Sequence, residues 1–195
     1  MYLLTETASP FALERWAAFF ANFGQFAKGF FYTLGISIGA LIVALLLGLI
    51  FGAMSSTHNK VLRGISRVYV EIFQNTPLLV QFVVVFYGIS ILTDGHIMIP
   101  ISLTAILCVG VYTGAYISEI IRTGIEAVPK GQTEAALSQG FTYADTMRII
   151  ILPQAVRTIL PPLTNQVVNL IKNTSTVAII SGADIMFTAK AWAYD

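Results

Sequence analysis

Long runs without charged residues alternate along this chain with short polar segments that hold most of its basic side chains. A helix needs about 20 apolar residues to cross a bilayer. The runs therefore predict four spans, at 31–54, 72–93, 95–118 and about 159–171, the last extended at either end past Arg157 or Lys172. The fourth contains Pro161 and Pro162. A membrane helix tolerates prolines near its start or where neighbours satisfy the freed carbonyls.

The basic residues predict an orientation, because short cytoplasmic loops are enriched in lysine and arginine. They cluster after the first and third predicted spans, at Lys60, Arg63, Arg67, Arg122, Lys130 and Arg148. The turn between the second and third spans holds Asp94 and no basic residue. We therefore expect both basic loops in the cytoplasm and the N-terminus outside. Arg15 and Lys28 weaken this bias without reversing it.

Aromatic residues recur at helical spacing before the first span. They are Trp16, Phe19, Phe23, Phe26 and Phe30. This stripe predicts an amphipathic helix in an outer interfacial segment, residues 1–28, since aromatic rings favour the membrane interface. Packing of the stripe against the chain's own helices is an equal alternative. The segment begins with acidic residues and no basic leader, which is not the pattern of a signal peptide. Residues 29–195 are the predicted transmembrane domain.

Composition supports a membrane protein. Of the 195 residues, 56% are hydrophobic and 11% are charged, with a mean hydropathy of +0.77; soluble domains carry about 25% charged residues. A net charge of only +1 argues against a nucleic-acid partner. The single Cys108 allows no disulfide within the chain, and the two histidines, His58 and His96, are predicted on opposite sides of the membrane and form no metal site.

Small residues every fourth position, at Ala40, Ala44, Gly48 and Gly52, predict close helix packing.

The polar loop at about 123–150 has a definite local pattern. Pro129 is suited to open a helix, and Gly140 to end it in a left-handed turn. Thr142 and Asp145 resemble a capping box for a second helix. The loop therefore predicts a short helix, a glycine turn and a second helix, all projecting into the cytoplasm.

Motifs at fixed spacing connect this loop to a known family. Glu134-Ala135-Ala136 is followed by Gly140, Ile150, Leu152 and Pro153, a series that resembles the EAA loop of bacterial ABC importer permeases. The segment 75–81, N-T-P-L-L-V-Q, is similar to a signature of the polar amino acid uptake family. Further similarities lie at 114–124 and 170–175. From these motifs the chain is identified as a permease subunit of that family.

The resemblance implies an all-α, polytopic membrane helix bundle of the type I ABC importer permease class. It also implies a bacterial cytoplasmic (inner) membrane location and three kinds of partner: ABC ATPase subunits, a second permease copy or paralogue, and an extracytoplasmic substrate-binding protein. The ATPases bind ATP. No Gly-Lys-Ser/Thr occurs in this chain, so no cofactor is expected in it. Coupling is expected through Glu134, Ala135, Ala136, Leu137 and Gly140. Family members have five spans, so with four the chain is expected to be truncated before the fifth, and whether Asp195 is a natural end stays open.

Polar residues within the predicted spans are candidates for a substrate path, because such groups are costly in a membrane. They are Gln81, Glu119, Asn165, Asn169, Lys172 and Asn173. An amino acid needs acceptors for its ammonium group and donors for its carboxylate. Alternatively, the amides bond across helices to hold the bundle together, and Glu119 pairs with Arg122. Ser175 is also a candidate cap for a short re-entrant helix.

These observations predict a permease subunit, not an enzyme, that carries a polar amino acid in an ATP-driven importer. One alternative keeps the class and changes the cargo to methionine, an anion or another small nutrient. A second is an ion-coupled secondary transporter that uses Glu119 as its coupling carboxylate. A third is a membrane scaffold without transport activity.

Overall fold

The computed structural model describes residues 13–180 and 182–194, and helices account for all the regular structure in those ranges. The first twelve residues of the predicted outer segment and Asp195 lie outside the described residues. In chain order the α-helices are α1 (Leu13–Ala21), α2 (Phe23–Ser55), α3 (Lys60–Asn75), α4 (Leu78–Val83), α5 (Ile89–Leu92), α6 (Ile101–Glu126), α7 (Lys130–Ser138), α8 (Tyr143–Asp145), α9 (Leu152–Asn173) and α10 (Ile185–Tyr194). Two π-helical segments, Val84–Gly88 and Thr146–Ile151, and one 3-10 segment, Thr174–Ile180, continue these helices.

The bundle is built on a close, parallel pairing of α2 and α6. A Cβ at Gly48 would lie 2.4 Å from Ile117, and one at Gly110 would lie 2.7 Å from Val43. The contacts advance in the same direction along both helices, so both run the same way through the bundle. The predicted ladder of small residues on α2 is buried in this contact. The two basic loops, which follow α2 and α6, therefore lie at the same end of the bundle.

The second predicted span, 72–93, is wrong at its start. The chain bends by 97° between Lys60–Asn75 and Leu78–Leu92. The cause is Pro77, which forces the preceding residue away from helical geometry: Thr76 is extended, with φ −97° and ψ 122°. The helical segment available to cross the membrane there begins at Leu78, and residues 72–75 belong to a separate helix, α3.

The other predicted spans differ from the helices mainly in their boundaries. Among the described residues, α2 and α6 are long and apolar enough to cross a membrane, and the bent pair would make a third. Residues 95–100, predicted in the third span, instead form the connection before α6, where Asp94 and Gly95 have positive φ. The helix α9 covers the fourth predicted span, but it is too polar to qualify as a membrane-crossing helix by length and composition. A total of four spans therefore stays a prediction, as does the outside N-terminus.

The helix α9 packs antiparallel to α6. Its first turns lie beside the end of α6, since a Cβ at Gly124 would lie 2.3 Å from Ile159. Near its other end, Leu170 joins the hydrophobic core with Ala40 and Ala44 from the middle of α2. The region predicted as a re-entrant helix forms the 3-10 segment Thr174–Ile180, which is buried at Val177 and Ile180. The chain then turns into α10, which packs on the start of α2.

The N-terminal aromatic stripe is divided between α1 and α2. Asn22, with φ −99° and ψ 7°, separates the two helices. Phe19 and Phe26 contact Trp192 on α10, with ring centroids 6.3 and 5.8 Å apart, whereas Trp16, Phe23 and Phe30 are exposed. The packing alternative thus accounts for one part of the stripe, and the exposed rings keep the character of an interfacial face.

Candidate functional site

The short helix α7 is formed and ended by the residues that predicted it. Pro129 precedes it with an extended ψ of 132°. At its end Gly140 has φ +88°, a left-handed conformation that glycine adopts at little cost. The N–H of Phe141 donates to the Ala136 carbonyl at 3.2 Å, and that of Gly140 to the Leu137 carbonyl at 3.0 Å. This pair of bonds is the Schellman motif, so the predicted glycine turn is confirmed.

The next helix begins where the capping box predicted it. The Thr142 hydroxyl oxygen accepts the N–H of Asp145 at 3.1 Å and donates to its carboxylate at 2.5 Å. From Tyr143 the chain stays helical through the π segment to the end of α9. The helix–turn–helix prediction for this loop is therefore confirmed, and the rigid second helix connects the loop directly to the bundle.

One side of α7 is attached to the chain and the other is open. Ala136 is 4% exposed and faces the π segment, which packs against α7. Glu134, Ala135, Leu137 and Gly140 are exposed. Ala136, one of the five residues expected to couple to the ATPase, is therefore turned inward and fixes the helix to its own chain. We call Glu134, Ala135, Leu137 and Ser138 the α7 surface.

A polar face on α9 lies at the depth of the middle of α2. Asn165, Asn169 and Lys172 are exposed on one side of the helix, and Leu170 between them belongs to the same buried core as Ala40 and Ala44. Exposing a lysine to hydrocarbon at this depth costs about 3 kcal/mol on insertion scales. The face therefore requires water or another polar protein surface opposite it. Asn173, at the end of α9, is half-buried.

Glu119 does not join this polar face. It lies toward the end of α6, where the Arg122 guanidinium binds its carboxylate through two N–H groups and also contacts Glu126. The predicted pairing of Glu119 with Arg122 is confirmed. A carboxylate held this way is already satisfied by a cation of its own chain.

Gln81 is buried and turned toward the bend between α3 and α4. Its amide N–H groups donate to the carbonyls of Phe73 and Thr76 at 3.2 and 3.0 Å. These carbonyls lose helical partners at the bend, so Gln81 stabilises the break. This geometry supports the structural alternative for Gln81 and separates it from the face on α9.

Four polar residues that fix the architecture were not predicted from sequence. Ser66 and Tyr69 on α3 donate to the carbonyls of Phe51 and Val111, both at 2.7 Å, and Gln74 donates to that of Ala115 at 3.2 Å. Asp184 is fully buried and accepts the N–H of Phe187 at 3.0 Å at the start of α10. Its position before an apolar helix is a capping signal.

Known proteins are similar to this chain in sequence and fold. A family described as "Binding-protein-dependent transport system inner membrane component" matches residues 44–195. The chain is 41% identical over 173 residues to the "Probable glutamine ABC transporter permease protein GlnM" of Bacillus subtilis (strain 168), covering 87% of this chain and 77% of that protein. It is 35% identical over 187 residues to the "Glutamate/aspartate import permease protein GltJ" of Escherichia coli (strain K12), covering 87% and 76%.

A solved structure extends the similarity to three dimensions. It is described as "Crystal structure of an amino acid ABC transporter with histidines", and it superposes with a TM-score of 0.83 at 33% identity, covering 90% of this chain and 80% of that one. The all-α permease fold predicted from sequence is therefore confirmed.

Proposed function

Because the chain belongs to the family of binding-protein-dependent transport system inner membrane components, we propose that it is the permease of an ATP-driven importer for a polar amino acid. The relatives named above are permeases for glutamine and for glutamate or aspartate, which supports this class of cargo. They are transport components rather than catalysts, and the chain is an integral membrane protein like them. Its membrane is the bacterial cytoplasmic membrane.

The α7 surface carries the coupling part of the proposal. It belongs to a short helix that exposes the carboxylate of Glu134 and the small side chain of Ala135. Ala136 and the π segment fix this helix to the bundle. A helix held this way transmits a displacement to α9 as a rigid lever. We assign it as the docking surface for an ATPase subunit, which binds ATP and moves α7 when it closes. Glu134 offers a carboxylate to an arginine or lysine of that partner.

The polar face of α9 carries the translocation part. Asn165, Asn169 and Lys172 lie at mid-depth, just before the helix gives way to the 3-10 segment. Transporter sites occur at such interrupted helices near the bilayer midplane. We assign this face to a path shared with a second permease copy or paralogue, where Lys172 binds a carboxylate and the asparagine side chains accept from an ammonium group. An extracytoplasmic binding protein delivers the amino acid.

Three alternatives differ from this proposal. An ion-coupled secondary transporter needs a carboxylate that is free to exchange its ion, whereas Glu119 is held by Arg122. An importer for methionine or another small nutrient keeps the same mechanism and differs in cargo alone. A non-transporting scaffold leaves the exposed Lys172 without a purpose.

Reconstitution into liposomes tests the proposal. The chain is co-purified with its ATPase and binding protein, ATP is enclosed, and uptake of labelled glutamine, glutamate and methionine is measured. We expect uptake of glutamine or glutamate that requires ATP and is unchanged by ionophores. Uptake driven by an ion gradient without ATP, together with its loss in Glu119→Gln, would establish the secondary transporter instead.

A further inference from the structure

The helix α3 has an inverted distribution of polarity. On its side toward the protein, Ser66 and Tyr69 donate to carbonyls of α2 and α6, and the Tyr69 ring stacks on Phe51. Its outer side is an apolar stripe of four residues at helical spacing, all between 49% and 69% exposed: Val61, Ile65, Val68 and Ile72. An apolar stripe of this kind facing away from a membrane protein is suited to lipid.

The orientation of α3 places this stripe at the edge of the membrane. The 97° bend puts α3 nearly perpendicular to the helix that follows. Ser66 bonds to Phe51, one turn before the end of α2. If α2 and the segment after the bend cross the bilayer, α3 lies in the membrane plane at the end where the basic loops are found. Amphipathic helices at interfaces lie this way.

A groove lined by charged side chains runs beside the stripe. It has a volume of about 560 Å³, and it lies between α3 and the ends of α2 and α6. Its charged lining consists of four cations and three carboxylates: Lys60, Arg63, Arg67, Arg122, Glu71, Glu119 and Glu126. Arg122 is paired with Glu119 and Glu126. Arg67 is paired with Glu71 at 2.7 Å; within the described residues neither Lys60 nor Arg63 forms an ion pair. Two cations therefore remain for an anion from outside the chain.

Gly64 makes room at the boundary between the groove and the stripe. It is one turn after Lys60, and a Cβ there would meet nothing within 4 Å. Glycine inside a helix is destabilising relative to alanine. Neither a turn nor close packing within the chain explains a glycine at this position. The open space beside the two unpaired cations gives a bulky polar group access to them.

We propose that this groove binds the phosphate headgroup of an anionic phospholipid, with Lys60 and Arg63 as its donors and the acyl chains along the apolar stripe. The cytoplasmic leaflet is negatively charged, and each basic residue near its surface contributes about 1 kcal/mol of attraction. The inference depends on the chain being a membrane protein and is independent of its cargo.

Brominated lipids test this proposal directly. The full chain carries Cys108→Ala and Val68→Cys, the new cysteine is labelled with an environment-sensitive fluorophore, and the protein is placed in nanodiscs. Fluorescence is titrated with brominated phosphatidylglycerol or brominated phosphatidylcholine. We expect quenching by both lipids, with about thirtyfold tighter apparent binding of phosphatidylglycerol, as expected for about 2 kcal/mol from two cations.

Substitutions then locate the headgroup. The pair Lys60→Gln with Arg63→Gln, and separately Gly64→Leu, are expected to abolish the preference for phosphatidylglycerol. Gly64→Leu improves helix propensity, so its effect does not arise from unfolding of α3. Lys130→Gln, a basic residue outside the groove, is the matched control and keeps the preference. An excess of inorganic phosphate is expected to leave the preference intact, since the acyl chains hold the lipid.

Three results overturn the proposal. Absence of quenching at Val68→Cys would show that a second copy or an ATPase covers the stripe. A preference unchanged by the three groove substitutions would remove the headgroup from this groove. Loss of the preference on addition of inorganic phosphate would identify the occupant as a free phosphate ion.

Discussion

The helices α3 and α7 are both short, and both lie at the end of the bundle where the basic loops are found, yet they are built in opposite ways. Polar side chains attach α3 to α2 and α6, and its apolar stripe faces outward. A buried alanine attaches α7, and the surface around Glu134 faces outward. Ile65 on α3 is 49% exposed and Leu137 on α7 is 47% exposed.

Nearly equal exposed fractions at Ile65 and Leu137 therefore belong to two different kinds of surface. Ile65 has three apolar neighbours along its stripe, whereas Leu137 is the one large apolar residue of α7 and lies one turn from a carboxylate. The first pattern suits lipid and the second suits a protein partner with a polar rim. The surroundings of an exposed leucine or isoleucine, rather than its exposed area, distinguish the two helices.

The largest effect is expected for charge reversal on α7. Glu134→Lys removes a charge-assisted contact and places two cations together, a change that typically costs 2–5 kcal/mol, or about thirtyfold or more in binding. We expect ATP-driven uptake to be nearly abolished while membrane insertion is normal. Gln132→Lys places a lysine two residues away, on a neutral position, and is expected to retain most uptake. Equal uptake by the two variants would remove Glu134 from the docking surface.

Introducing a carboxylate at the two equally exposed positions distinguishes the helices. Ile65→Asp on α3 is expected to lower the yield of folded protein extracted from membranes, because a carboxylate against lipid costs about 2 kcal/mol or more. Leu137→Asp on α7 is expected to leave the yield unchanged and to reduce uptake. The comparison fails if Leu137→Asp lowers the yield as strongly as Ile65→Asp.

Two glycines near α7 are expected to respond in opposite directions to alanine. Gly140→Ala strains a left-handed turn by about 1–2 kcal/mol, whereas Gly131→Ala within the helix is stabilising by up to about 1 kcal/mol. Limited proteolysis of the loop measures the difference: Gly140→Ala should be cut faster than the unsubstituted chain and Gly131→Ala more slowly. Faster cleavage of Gly131→Ala than of Gly140→Ala would contradict the assigned turn.

The smallest effect is expected for the attachment of α3. Tyr69→Phe removes the hydrogen bond to the Val111 carbonyl, worth about 1 kcal/mol, and should lower the Tm in detergent by about 2–4 °C. Tyr87→Phe, at an exposed tyrosine, should leave the Tm unchanged. Indistinguishable Tm values for the two variants would show that this hydroxyl does not hold α3 in place.

Local rules predicted α7 and its surroundings well. Pro129, Gly140 and Thr142 act on residues within one turn of themselves, so their effects can be inferred from a short stretch of sequence. The same kind of rule applies to Thr76 and Pro77, and applying it there would have corrected the second span, which was placed from hydropathy alone.

The buried side of α3 could not be predicted this way. Ser66, Tyr69 and Gln74 bond to carbonyls that are 15, 42 and 41 residues away in the chain. Their partners depend on how α2, α3 and α6 are arranged in space. The burial of Ala136 also depends on packing, because Ala135 and Ala136 are identical residues and differ only in the side of α7 on which they lie.

Disulfide crosslinking from α7 tests the central claim most directly. The ATPase carries cysteines around its surface cleft, and the chain carries Ala135→Cys or, as the matched control, Ala136→Cys, whose side chain faces the π segment. We predict a strong crosslink from Ala135→Cys that changes with ATP and a weak one from Ala136→Cys. Crosslinking that is equally weak at both positions, with a folded ATPase present in the same membranes, would contradict the assignment of α7 as the docking surface.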